Sequence, residues 1–139
     1  MFTSVSARSA SAYKRASVDA SVEMASPHQL VTLLFEALQR SLGAAALCMD
    51  AGDIPGKCKH IDSAIRILEE GLIAPLDMER GGEIAVNLRN LYEYCVSRLV
   101  FANAKNDPAM LQEVKRLIEP VVSGWKQIDG SGPAYLKAV

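Results

Sequence analysis

The sequence predicts an all-α protein, an antiparallel four-helix bundle, preceded by a short N-terminal arm that is either flexible or holds a short helix. After residue 25, four apolar patterns repeat with the 3.6-residue period of a helix face. Mostly short links join them, which favours antiparallel neighbours. No alternating pattern typical of a strand is found, so the four patterns are interpreted as one bundle.

A chain of 139 residues is the size of a single domain. We divide it into an arm at 1–25, a bundle at 26–129 and a tail at 130–139. The arm is rich in serine and alanine, and Tyr13 is its one large aromatic residue after Phe2. Such a short segment rarely stays helical without packing.

The first helix begins at Ser26-Pro27-His28-Gln29. Ser26 is a good N-cap, Pro27 suits the first helical position, and Gln29 completes a capping box. The helix is predicted to run to about Asp50, with Gly52 just past its end. Its stripe is Leu30, Val31, Leu34, Leu38, Leu42, Ala45, Cys48 and Met49, and Leu33, Phe35, Ala37 and Ala44 widen it enough to face several neighbours.

The second helix is predicted to begin at Asp53-Ile54-Pro55 and to end near Gly71. Its stripe is Ile54, Cys58, Ile61, Ile65, Leu68 and Leu72, with His60 and Ile67 beside it. The segment 73–82 contains Pro75 and a glycine pair, and we interpret it as an irregular link.

The third helix is predicted within Gly81–Asn103. Its stripe spans about 140° and comprises Ile84, Leu88, Leu91, Tyr92, Cys95, Val96, Leu99 and Ala102. Tyr94 and Phe101 lie off this stripe, seven residues apart, and therefore stack on the opposite side. They are either isolated exposed aromatics, which are ordinary, or part of a second surface that binds a partner.

The fourth helix is predicted to begin at Asp107-Pro108 and to end before Gly130. Its stripe is Leu111, Val114, Leu117, Ile118, Val121, Val122, Trp125 and Ile128. Pro120 lies inside the pattern, where it should kink the helix or remove a hydrogen bond. We expect Trp125 to be at least partly buried.

Composition excludes several classes of function. With 15 basic and 16 acidic residues the net charge is −1, so nucleic-acid binding has no bulk electrostatic support. No uninterrupted apolar run is long enough to insert into a membrane. Cys48, Cys58 and Cys95 lie on or near apolar stripes, which predicts buried, reduced thiols in a cytosolic protein.

The sequence carries no motif for an enzyme, a metal or a cofactor. His28 and His60 are the only histidines, and no Glu-x-x-His pair or phosphate-binding glycine loop is found. His28 lies in the capping box. His60, on the flank of the second helix, leaves a histidine phosphotransfer module as an alternative, although the following Ile61-Asp62-Ser63-Ala64 lacks the Lys-Gly expected nearby.

One ungapped segment, LDMERGGEIAVNL at 76–88, carries a resemblance to a known family. Together with Leu91-Tyr92-Glu93-Tyr94, Arg98-Leu99 and Ala102-Asn103, it resembles the signature of the FliS family of flagellar export chaperones. Tyr13, the segment ASPHQL at 25–30, Glu113-Val114 and Trp125 fit as well. The similarity spans roughly Tyr13–Ile128, although the usual Tyr-Asp-Gly of the first helix reads Phe35-Glu36-Ala37 here.

The resemblance implies a cytoplasmic helical bundle that binds the C-terminal segment of flagellin in apolar grooves. Such a chaperone prevents premature polymerisation and delivers flagellin to the flagellar type III export gate. In this family the chaperone's own N-terminal segment can occupy part of the binding surface.

The candidate contacts for such a client are apolar residues that lie off the core stripes. They are Leu33 on the first helix, Ile67 on the second, and Tyr94 and Phe101 on the third; Tyr13 joins them through the resemblance. Excess apolar surface at helical spacing is typical of a protein that accepts a helix in a groove. The alternative is a homodimeric adaptor that buries the same surface against a second copy.

Overall fold

A computed structural model describes residues 26–128, which form four helices. They are α1 (Pro27–Ala51), α2 (Ile54–Arg66), α3 (Met78–Lys105) and α4 (Pro108–Lys126), and a π-helical segment, Ile67–Ile73, directly extends α2. The predicted all-α bundle is therefore confirmed. The arm, the tail and Tyr13 lie outside the described residues.

Local capping chemistry determines where the helices begin and end. Ser26 and Gln29 form the predicted capping box, with the Ser26 hydroxyl accepting from the Gln29 N–H at 3.1 Å. Asp53 and Asp107 cap α2 and α4 through their side-chain carboxylates. Gly52 ends α1 with φ at 74°, a left-handed conformation that glycine adopts at little cost.

The helices pack as an antiparallel bundle. Each contacts its neighbour in sequence, and α4 also packs back on α1, while the π-helical segment lies between α1 and α3. Contacts between opposite helix ends fix the antiparallel direction, because the start of α2 meets the end of α3 and the end of α4 meets the start of α1. The largest fully buried side chains are Leu34, Phe35, Leu38, Leu42, Ile61, Ile67, Leu68, Leu99, Leu111 and Ile118.

A buried lysine joins the start of α2 to the end of α3. Lys57 is only 4 % exposed, and its Nζ donates to the Asn103 carbonyl oxygen at 3.0 Å and to Asn106 Oδ1 at 3.1 Å. Asn106 itself ends α3 in a left-handed conformation, with φ at 54°. The ammonium thus lies at the negative end of the α3 dipole, which offsets part of the cost of its burial.

The π-helical segment contributes several buried side chains to the core. Ile67 was predicted to lie beside the core stripe, but it is fully buried, so that prediction is wrong. Ile67 is the first residue of the segment, and it continues the buried face that Ile61 and Ala64 form in the preceding turns. The segment also contacts both α1 and α3, and consequently two of its faces are covered.

The link before α3 is more regular than predicted. The segment 73–82 was interpreted as irregular, yet Met78 already begins a helical turn that Asp77 caps through two backbone N–H groups. Gly82, with φ at 52° and ψ at −129°, then breaks the helical path. Beyond this kink Ile84 is 58 % exposed and Ala85 is buried, so the predicted core position of Ile84 is wrong.

The kink gives a testable difference between two adjacent glycines. Gly82→Ala should destabilise the fold by about 1–3 kcal/mol, because the Gly82 conformation is strained for any residue with a Cβ. Gly81→Ala is the matched control, since Gly81 is not among the glycines with positive φ. Chemical denaturation of both variants measures the difference. Equal stability of the two would contradict the kink.

Two further positions of the predicted α2 stripe are exposed. Ile54 is the first residue of the helix and is 49 % exposed, so it lies outside the core. Cys58 is also exposed, and its thiol lies 3.4 Å from Asn103 Oδ1. The buried face of α2 is rotated toward Lys57, Ile61 and Ala64. Of the three thiols predicted to be buried, only that of Cys95 is, because Cys48 is half-buried and Cys58 is exposed. Burial raises the pKa of the Cys95 thiol to about 11.

The end of α4 packs on the start of α1 through Trp125. Trp125 is 4 % exposed, as expected, and its ring stacks on His28 with centroids 4.7 Å apart. The Trp125 indole donates to Thr32 Oγ1 at 3.0 Å, and His28 Nε2 lies 3.1 Å from the Trp125 carbonyl oxygen. His28, which lies between the capping-box residues Ser26 and Gln29, therefore also packs on Trp125. The helix continues through Pro120, which is exposed.

By length and composition, α1 is apolar enough to cross a membrane, with a mean hydropathy of 1.3 over its best window. The same composition is found in core helices of soluble proteins. Ten residues of α1 are buried in the bundle. We therefore assign its apolar character to core packing.

Candidate functional site

Exposed apolar side chains concentrate on one helix. Seven large hydrophobic residues of the described chain are exposed, and five of them lie on α3: Ile84, Val86, Tyr94, Val100 and Phe101. The other two, Leu47 and Ile54, lie on α1 and α2. Because single exposed apolar residues are ordinary, the concentration on α3 is the informative observation.

Three of these five residues share one uncharged surface with Asn90 and Ser97, which we call the α3 outer face: Val86, Asn90, Tyr94, Ser97 and Phe101. Ile84 and Val100 lie outside it. At 100° per residue the five positions fall within about 80°, and all five are exposed. From Val86 to Phe101 the face is about 22 Å long at 1.5 Å per residue. The remaining sides of α3 pack on α4, on α2 and on the π-helical segment. A solvent-facing strip of this length without charge is suited to another apolar surface.

Tyr94 is held in place by two charged neighbours. Its hydroxyl donates to Glu113 Oε2 at 2.6 Å, and Arg98 Nε donates to Glu113 Oε1, also at 2.6 Å. The Arg98 guanidinium carbon lies 5.9 Å from the centroid of the Tyr94 ring. We call these three side chains the Tyr94 clasp. It joins α3 to α4, because Glu113 is the only member on α4.

The contacts within the Tyr94 clasp shift the pKa of each member so that Tyr94 and Arg98 stay protonated and Glu113 stays ionised. Hydrogen bonds from Tyr94 and then Arg98 lower the pKa of the Glu113 carboxyl below its ordinary value. The bond to Glu113 raises the pKa of the Tyr94 phenol, and partial burial adds to this. Glu113 likewise raises the pKa of Arg98. At neutral pH the hydroxyl is therefore protonated and donating, and the carboxylate is ionised.

Phe101 occupies a similar position about two turns further along α3. Lys105 Nζ lies 5.8 Å from the centroid of its ring. In both cases the cation is four residues after the aromatic residue, so the two rings carry a positive group on the same side. The α3 outer face thus carries three apolar side chains with Asn90 and Ser97 between them, and charged side chains lie along its border.

The other predicted contact residues do not join this face. Leu33 is half-buried and packs against the core from α1, whose main partners are α2 and α4. Ile67 is inside the core and presents no surface. Val86, which belongs to this face, and the exposed Val100 were not predicted, although both lie off the core stripe of α3.

A small apolar depression lies elsewhere, at the end of the bundle where Trp125 packs. Its lining comes from α1, the π-helical segment, the link that follows it, α3 and α4. The lining residues are Val31, Phe35, Gly71, Leu72, Leu76, Tyr92 and Trp125. Most of them are core residues that are less than 10 % exposed. The depression is a gap in the core packing and is much too small to accept a helix.

No group of three or more metal-binding side chains is found between residues 26 and 128. His60 is half-buried on α2, and His28 packs on Trp125.

Comparison with known proteins identifies the family of the chain. Residues 9–132 match the family described as flagellar protein FliS. The chain is 44 % identical over 117 residues to the flagellar secretion chaperone FliS of Salmonella typhimurium, which covers 84 % of this chain and 87 % of that protein. It is 45 % identical over 116 residues to the flagellar secretion chaperone FliSB of Pseudomonas aeruginosa, covering 84 % and 91 %. A more distant relative, FliS of Bacillus subtilis, is 30 % identical over 107 residues, covering 77 % and 78 %. With a match over this much of its length, the chain belongs to the FliS family of flagellar proteins.

Proposed function

We propose that this protein is a secretion chaperone that binds the C-terminal segment of flagellin through the α3 outer face. The observation that carries the proposal is that the uncharged α3 outer face holds three of the seven exposed large hydrophobic residues, Val86, Tyr94 and Phe101. The names of its relatives as flagellar secretion chaperones support the client class. In this role it keeps flagellin from polymerising in the cytoplasm and delivers it to the flagellar type III export gate.

The physical basis is the burial of apolar area. An amphipathic helix of about 15 residues matches the 22 Å length of the face. Removing about 400 Å² of apolar area from water is worth roughly 10 kcal/mol before the costs of association and ordering are subtracted. A chaperone needs only part of this, because the client must be released at the export gate. We expect neither a catalytic activity nor a cofactor.

The proposal is tested by the assembly of flagellin. Seeded polymerisation of monomeric flagellin, followed by light scattering, should be suppressed when the chain is present in equimolar amount. A flagellin that lacks its C-terminal segment should not bind the chain by calorimetry. Unchanged assembly in the presence of excess chain would contradict the proposed function.

A homodimeric adaptor is the second candidate, because the α3 outer face could also pair with its own copy. Sedimentation equilibrium separates the two possibilities. A chaperone should change from free chain to a one-to-one complex when flagellin is added. A tight dimer that does not bind flagellin would favour the adaptor.

A further inference from the structure

The Tyr94 clasp has a consequence for how the α3 outer face recognises its partner. Tyr94 is 45 % exposed, yet its hydroxyl is already bonded within the protein, at 2.6 Å from Glu113 Oε2. The second carboxylate oxygen is bonded to Arg98 at the same distance. Both Glu113 oxygens are therefore occupied by partners on α3, and the carboxylate is fixed from two directions.

This arrangement restricts the Tyr94 ring. An exposed tyrosine on a helix ordinarily samples several rotamers, and a binding partner must freeze it at an entropic cost. Here the bond from the hydroxyl to α4 and the Arg98 guanidinium beside the ring hold one orientation before any partner arrives. With the hydroxyl bonded internally, what remains for a partner is the apolar ring.

We propose that Glu113 is a positioning residue for client binding: it holds the Tyr94 hydroxyl so that the ring is presented, pre-oriented, to an apolar side chain of the flagellin segment. The proposal rests on the proposed function and names the chemistry of one of its contacts. Glu113 acts through Tyr94 and does not itself touch the client. The client contributes an aliphatic or aromatic side chain at this point and no acceptor for the hydroxyl.

A double-mutant cycle tests this assignment. Glu113→Ala, Tyr94→Phe and the double variant are titrated by calorimetry with a synthetic peptide of the C-terminal segment of the cognate flagellin. Each single variant should bind roughly 3- to 10-fold more weakly, since one ordered side chain is released. The double variant should bind no more weakly than the weaker single variant, because both changes break the same bond. Asp62→Ala is the matched control, since Asp62 is another exposed acid paired with an arginine, on α2.

A second measurement examines the hydrogen bond between Tyr94 and Glu113 in the absence of the client. The Tyr94 phenol should titrate at a lower pH in Glu113→Ala than in the parent, as followed by the NMR signal of its ring carbon, because the bond to Glu113 raises its pKa. A merely structural salt bridge between α3 and α4 would change the melting temperature and leave the affinity unaltered.

The outcomes separate the positioning role from the proposed function. If the parent does not bind the peptide, the proposed function fails and the positioning role fails with it. If the parent binds but Glu113→Ala binds equally well, or if the losses in the two single variants multiply in the double variant, only the positioning role is overturned. An unchanged titration of Tyr94 in Glu113→Ala would also overturn it.

Discussion

Replacing Leu38 by alanine is expected to lower the free energy of unfolding by about 2–5 kcal/mol. Leu38 lies in the middle of α1 and is fully buried in the core. Truncation removes its apolar contacts with the neighbouring helices and leaves a cavity that a well-packed bundle fills only partly. Denaturation in urea, followed by circular dichroism at 222 nm, measures the loss.

The matched control is Leu47→Ala on the same helix. Leu47 is 73 % exposed, so the same chemical change should cost less than about 0.5 kcal/mol. Comparable losses in the two variants would show that the core of α1 is not where the structure places it. A clear difference supports the assignment of the apolar character of α1 to packing.

The starts of α1, α2 and α4 could be predicted because they depend on neighbouring residues, whereas the start of α3 at Met78 was missed. Ser26 with Gln29, Asp53 and Asp107 each cap a helix through a contact within three residues, and Gly52 ends one. Such signals are complete in the sequence itself. The fold class followed from them, together with the helical period of the apolar residues.

The burial of particular side chains could not be predicted wherever the helical path changes. A constant 100° per residue placed Ile84 in the core and Ile67 outside it, and both placements are wrong. Ile84 lies two residues after the kink at Gly82, near the start of α3, and Ile67 opens a segment that both α1 and α3 contact. A periodic pattern shows neither circumstance. Long-range partners are equally invisible, since Lys57 is buried through a bond to Asn106, 49 residues away.

The candidate site was predicted in part. Tyr94 and Phe101 were found because both lie off the core stripe, seven residues apart on one side of the helix, and the structure places both on the α3 outer face. Glu113 was not a candidate, because nothing in the sequence indicates that a glutamate on α4 meets a tyrosine on α3. That the face binds flagellin remains a prediction.

Removing both aromatic rings of the α3 outer face should abolish most client binding. Tyr94→Ala together with Phe101→Ala deletes two rigid apolar anchors, and anchors of this kind typically contribute 2 kcal/mol or more each to a protein interface. The expected loss of affinity is roughly 100-fold or greater. Since the side chains are 45 % and 47 % exposed, the melting temperature should change by only a few degrees, about what a loss of 1 kcal/mol produces.

Calorimetric titration of this double variant with the flagellin C-terminal peptide tests the central claim most directly. The control is Leu47→Ala with Ile54→Ala, which removes two exposed apolar side chains that lie on α1 and α2 and not on α3. If flagellin binds the α3 outer face, the parent and the control should bind the peptide alike. The α3 double variant should stay folded and lose binding. A folded α3 double variant with the parent affinity, or a loss confined to the Leu47 and Ile54 control, would contradict the claim that flagellin binds the α3 outer face.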